Sequence, residues 1–273
     1  MPLPTDRPLD DLTAELTRLL GSTDPRQRTQ EAYRRLSGWI REGAYDDVLV
    51  GLGDGMVTGV EVGLGQSESD TVFRRSWSVK VLADCIARDN EAQVLSPRQL
   101  LVWGDRIATW FVRERDLRGH VTGKGPALAL AHGADAVAEL GRSPHFGVAE
   151  LTVLLDVLAD RLLLPTGCRL VAGEPDRLAR ATVTILARDL VPLSILEPWI
   201  ARLANGAVAV DPEGAVACRA FNTQAFLRAL YLQVAHGPER PGVRSDLLLV
   251  IVEALRETTL ELRSPRPNLR PVR

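Results

Sequence analysis

Apolar residues along this chain recur at spacings of three and four and rarely of two, which is the signature of amphipathic helices. The spacing predicts about eleven helices, over residues 8–20, 25–42, 45–63, 69–89, 96–115, 125–141, 147–163, 174–190, 193–205, 214–236 and 245–262. Gly206 to Val210 is the only short stretch that reads as extended. Prolines and glycines punctuate the same segments. Asp24-Pro25, Ser96-Pro97, Glu174-Pro175 and Asp211-Pro212 each place a proline at or near a first helical position, where its missing N–H removes no intrahelical bond. Gly21, Gly43, Gly141, Gly206 and Gly237 stand where helical patterns end, as expected of left-handed caps.

Helices of similar length joined by short turns predict an all-α protein, an α-solenoid of antiparallel helix pairs. No strict period is visible, so the repeats are expected to be degenerate and HEAT-like. Some helices are apolar on more than one face. Residues 96–115 carry Leu100, Ile107 and Phe111 on one stripe, flanked by Trp103 and Trp110, as a helix buried between neighbours should. One helical-repeat domain is expected over residues 1–263. The Pro/Arg-rich tail, residues 264–273, has nothing to build a core from and is expected to be flexible.

Composition narrows the function by exclusion. Across 273 residues, 45% are hydrophobic and the formal net charge is −2, so the chain reads as globular and not as a polycation. Lys80 and Lys124 are the only lysines; the rest of the basic charge is arginine. Cys85, Cys168 and Cys218 are widely spaced and odd in number, which argues against a disulfide framework or a zinc knuckle. The first residues, MPLPTDRPLDD, lack the apolar core of a signal peptide. The apolar run from Leu247 to Val252 is far too short to span a bilayer. A soluble cytoplasmic protein without membrane or cofactor is expected.

The chemistry concentrates in RDLRGHVTGKGPALALAHGAD, residues 115–135. Gly119, Gly123, Lys124 and Gly125 superficially suggest a phosphate loop. A P-loop needs four residues before its Gly-Lys pair and a Ser or Thr after it; here there are three, and Gly125 follows. The glycines of residues 51–65 fit no dinucleotide frame and fall on a helical pattern, where they permit close helix contact. On a helix from Pro126, residues Leu128, His132, Asp135 and Glu139 share one stripe. His132 and Asp135 could contact a ligand, bond to each other, bond to a neighbouring helix, or supply two ligands of a metal. Two ligands do not make a specific metal site, so no metal is expected. The preceding turn, with Asp116, Arg118, His120 and Lys124, is expected to face that stripe. In FRRSWSVKVLADC, residues 73–85, Phe73, Trp77, Lys80 and Asp84 trace one face. Arg74 and Arg75 with Trp77 are candidates for an anion-accepting groove, and an arginine-flanked core helix is the competing reading.

These stretches together resemble a bacterial family known as domain of unknown function 2785. The family pattern is an acidic-Asp-Leu-Arg-Gly-Tyr turn, then Gly-Lys-Gly-Trp-Ala-His, then Ala-His-Gly-Ala-Asp. The matching positions are Asp116, Leu117, Arg118, Gly119, Gly123, Lys124, Gly125, Ala127, Ala131, His132, Gly133, Ala134 and Asp135. FRRSWS from Phe73 and FLRALYLQV from Phe226 resemble two further family helices. The resemblance implies an all-helical, HEAT-like fold and carries no activity. The family's Trp and first His fall on Pro126 and Leu128, so this chain lacks part of a His–His–Asp stripe.

The expected function is non-catalytic binding: a concave helical face that holds a small molecule, peptide or protein, for instance to sequester a metabolite or natural product. The candidate ligand-binding residues are His132, Asp135, Asp116, Arg118, His120, Lys124, Arg75 and Trp77, and no catalytic residue is assigned. Two other classes compete. One is a small hydrolase with His132 as base and Asp135 as its orienter. The other is a HEAT-like nucleic-acid binder using Arg74, Arg75, Arg113, Arg115 and Arg118, which the net charge disfavours.

Overall fold

The computed structural model describes residues 7–207 and 214–259. Eleven helices carry the chain: α1 Leu9–Leu19, α2 Arg34–Arg41, α3 Leu49–Glu61, α4 Thr71–Ala92, α5 Pro97–Arg113, α6 Ala129–Arg142, α7 Val148–Leu163, α8 Glu174–Leu186, α9 Leu193–Gly206, α10 Gly214–His236 and α11 Arg244–Thr258. A wider-wound π-helical stretch, Gln27–Tyr33, leads into α2. The expected tail and residues 208–210 of the extended-looking stretch lie outside the described residues.

The helices pack in two layers. In one, α4, α6, α8 and α10 lie side by side; in the other, α3, α5, α7, α9 and α11 do so. Within a layer, neighbours run parallel. Ser76, Lys80 and Asn90 of α4 bond in ascending order to His132, Asp135 and Glu139 of α6. Asp54 of α3 reaches Trp103 of α5, and Glu61 reaches Arg106. Across the layers α3 and α4 run antiparallel, with Gly59 against Ser78 and Gly63 against Thr71. This is the order of stacked α-hairpins, as the short turns predict.

Local chemistry explains the boundaries. Ser96 caps α5 by accepting the Gln99 N–H at 3.2 Å, with Pro97 at the first helical position. Of the five glycines expected at left-handed caps, Gly43 has that conformation, with φ +79°. Gly141 and Gly206 instead let neighbouring side chains in: an added Cβ would stand 2.7 Å from Ile185 and 2.0 Å from Leu163.

The glycine-rich α3 packs as the sequence suggests. A Cβ on Gly53 would lie 2.0 Å from the Trp103 ring, and one on Gly59 would lie 2.2 Å from the Ser78 hydroxyl. Gly55, on the same helix, faces open space. Gly53→Ala should therefore destabilise the protein by about 1–3 kcal/mol through overpacking. Gly55→Ala should stabilise it by about 0.5–1 kcal/mol. Thermal unfolding of the two variants checks this: shifts of the same sign would contradict the packing of α3 on α5.

One region departs from the predicted helices. Residues 120–126 form a two-residue hairpin, β1 His120–Val121 and β2 Gly125–Pro126, with His120 opposite Pro126. Helix α6 starts at Ala129, after Leu128 has taken a left-handed conformation with φ 56°. Leu128 thus precedes the helix, and the polar stripe begins at His132.

Candidate functional site

Helix α6 is sandwiched between α4 and α8, and nearly all of it is buried. Small residues permit this. A Cβ on Gly133 would lie 2.4 Å from the Phe111 ring, so glycine is what lets α5 approach. Two polar side chains, His132 and Asp135, are carried inside with the helix and must be satisfied there.

His132 bonds to α4. Its Nδ1 lies 2.9 Å from the Ser76 hydroxyl and 3.2 Å from the Ser76 carbonyl oxygen. The Ser76 hydroxyl donates its own proton to the carbonyl of Ala127. Both contacts therefore need Nδ1–H as the donor, which leaves Nε2 with its lone pair. The Trp77 ring meets the imidazole edge-on, with centroids 4.8 Å apart. Burial, assisted by the charge of Lys80, pushes the imidazole down to about 3, so the ring is neutral at ordinary pH.

Asp135 bonds elsewhere. Its Oδ2 accepts from Lys80 Nζ at 2.8 Å and from Arg177, and its Oδ1 accepts from Arg180 at 2.8 Å. Burial alone would raise this carboxyl, but Lys80 and Arg177 together outweigh it and hold it below the usual carboxylate range. Two further acids flank the cluster. Burial raises Asp84, which lies near Lys80, and Glu139, which pairs with Arg142 at 2.6 Å. The side chains of Arg177 and Arg180 remain 40% and 51% exposed. The product is one buried carboxylate fixing three cations, two of them at the surface.

The predicted site residues thus divide into groups. His132, Asp135 and Trp77 come together with Lys80 on adjoining helices. His132 and Asp135 share a face of α6, but their bonds run to α4 and α8 and not to each other. The turn does not face them as expected. Asp116 accepts from Arg118 at 2.8 and 2.6 Å and from the Ser69 N–H at 3.3 Å, while Arg118 donates to the Ser69 carbonyl. Lys124 pairs with Asp70. These residues clasp the start of α4, and His120 is exposed on the hairpin.

Arg75 is the clearest correction. It is fully buried, so it lines no groove with Trp77. Its guanidinium makes a bidentate pair with Glu114, at 2.5 and 2.8 Å, and donates to the carbonyls of Val62 and Gly63 and to the Thr71 hydroxyl. The arginine patch considered for nucleic acid loses Arg75 to Glu114 and Arg118 to Asp116, while Arg113 and Arg115 stay exposed.

Sequence reasoning missed Arg177 and Arg180. Their spacing of three on α8 puts them on one face, but in an arginine-rich chain that spacing is no signal. It also missed Arg28, whose buried guanidinium lies 4.0 Å over the Phe73 ring and donates to the Lys124 and Pro126 carbonyls, at 2.7 and 3.2 Å. Burial lowers Arg28 to about 10. Among the described residues no group of three His, Cys, Asp or Glu side chains is placed to hold a metal ion.

The fold and the cluster define a class first: a two-layer helical protein with a cation-bound carboxylate buried in one layer. The family described as protein of unknown function (DUF2785) matches residues 61–232, more than half of the chain. The chain belongs to that family. No curated protein and no solved structure matches it. Among the described residues no helix is long and apolar enough to cross a membrane.

Proposed function

We propose that this chain is a non-catalytic binding protein that holds an anionic group of a small molecule or peptide against Arg177 and Arg180. The observation that carries this reading is the cluster on Asp135. One carboxylate receives three cations, and the two arginines present further N–H donors at the surface from positions already fixed. Pre-organised guanidinium groups of this kind suit carboxylate and phosphate oxygens, and little side-chain freedom remains to be lost on binding. A hydrolytic role for His132 would need an orienting carboxylate, and Asp135 bonds to α4 and α8 instead.

Calorimetric titration with inorganic pyrophosphate tests the reading. Wild-type protein should bind it in a salt-sensitive manner. The double variant Arg177→Gln, Arg180→Gln should bind at least about tenfold more weakly, given two lost charge-assisted contacts. Unchanged affinity in the double variant would remove the site. Turnover of a nitrophenyl ester that His132→Gln abolishes would replace binding with hydrolysis.

A further inference from the structure

A second feature lies away from the Asp135 cluster. The α3–α4 link, the end of α5 with the residues that follow it, and the end of α7 enclose a cleft of about 950 Å³. That is the upper end of the range for small-molecule sites. Its charged lining is Arg113, Arg115, Arg161 and Glu114. Glu114 is already engaged: Arg75 grips both oxygens, while Trp110 Nε1 and the Asp116 N–H donate to them at 3.1 and 2.9 Å. Arg113, Arg115 and Arg161 make no ion pair among the described residues.

Arg161 is the unusual member. It is only 6% exposed, and a buried guanidinium ordinarily has a carboxylate partner. Here Nη1 donates to the carbonyls of Glu114 and Val112, at 2.8 and 3.4 Å, and the buried Nε has no partner among the described residues. Burial lowers the group to about 10 against the nearby charge of Glu114, which Arg75 already grips, so Arg161 stays charged at neutral pH. The C-terminal ends of α3, α5 and α7 point toward this region and oppose an anion, each by roughly half a charge. Three arginines outweigh three such half-charges, and Arg161 already bonds the carbonyls at the end of α5. The rest of the lining sets an apolar group, Leu64, Val112, Leu117, Leu164 and Pro165, beside the polar side chains of Gln66, Ser67 and Thr166.

We infer that this cleft binds an amphiphilic organic anion, with a phosphate or carboxylate head at Arg161, Arg113 and Arg115 and an apolar body against the leucine-rich wall. The inference does not depend on the reading of Asp135. Gly167, in the lining, offers a block: a Cβ there meets nothing within 4 Å, and its backbone is not left-handed. Gly167→Trp should fill the cleft and leave the fold intact.

The probes are octyl phosphate and octanoate below their micellar concentrations, with inorganic phosphate and octanol as controls, titrated calorimetrically into the full chain. At least one of the two amphiphilic anions should bind at one equivalent, at least about tenfold tighter than either control. The stronger of the two names the head group. Gly167→Trp should abolish that binding. Arg113→Gln with Arg115→Gln, both exposed and unpaired, should weaken it about tenfold. Arg177→Gln with Arg180→Gln should leave it unchanged, which separates this cleft from the Asp135 cluster. Amphiphile binding no tighter than inorganic phosphate, or binding that survives Gly167→Trp, overturns the inference. Octanol binding as tightly as the anions overturns the assignment of the charged head.

Discussion

Arg75→Ala should cost about 3–5 kcal/mol of folding stability, because it leaves a buried carboxylate without its cation. Glu114 is as buried as its partner, and Arg75 also ties together the end of α3, the first turn of α4 and the end of α5. Chemical denaturation reads the loss directly. If the alanine variant does not fold, Arg75→Lys supplies the same test: it keeps the charge but cannot form the two-pronged contact or reach all the carbonyls. It should be destabilised by more than about 1 kcal/mol, while replacing both members by Met and Gln should cost less than the two single changes added. A near-neutral Arg75→Lys would show that the pair contributes charge and not geometry.

The second large effect is a dependence on pH. The His132 imidazole is held near 3 by burial and by Lys80, against about 6.5 in an unfolded chain. Between those values the unfolded state binds a proton that the folded state refuses. This contribution to stability is therefore complete above pH 6.5 and declines as the pH falls toward 3, by up to about 1.4 kcal/mol per unit. The charged groups acting on the ring are Lys80, Arg177 and Asp135, and only Asp135 favours protonation. Asp135, with its lowered pKa, adds a loss in the same direction at lower pH. Asp84 and Glu139 are raised and act in the opposite sense, so the slope of the wild type alone is not diagnostic. The comparison with His132→Gln is. Unfolding free energies measured from pH 7 to pH 4 should fall less steeply in the variant, and identical slopes would mean that the imidazole titrates normally.

Most helices were legible because they bury one face and expose another, and that leaves a period in the chain. The start of α6 was not. A leucine in the left-handed region, Leu128, carries no sequence signal, and the hairpin before it is too short to show alternation. The candidate site residues divide by the same logic. His132, Asp135 and Trp77 stand out as polar or aromatic residues on apolar stripes. Arg75 reads like any helical arginine until Glu114, 39 residues away, is brought against it. Arg161 and Arg177 are likewise two arginines among many, and only the fold distinguishes a buried guanidinium bonded to backbone carbonyls from one held at the surface by Asp135.

The π-helical stretch that carries Arg28 has a bearing on where this protein can be cut. The family match begins at Glu61, the last residue of α3, and ends at Leu232, inside α10. A fragment with those bounds would lose all but the end of α3, which lies along α4, and the α11 helix that packs on α9 and α10. It would also lose Arg28, stripping the Phe73 ring of its cover and the hairpin carbonyls of their donor. Kinship is written in a shorter stretch of chain than the one whose side chains cover one another.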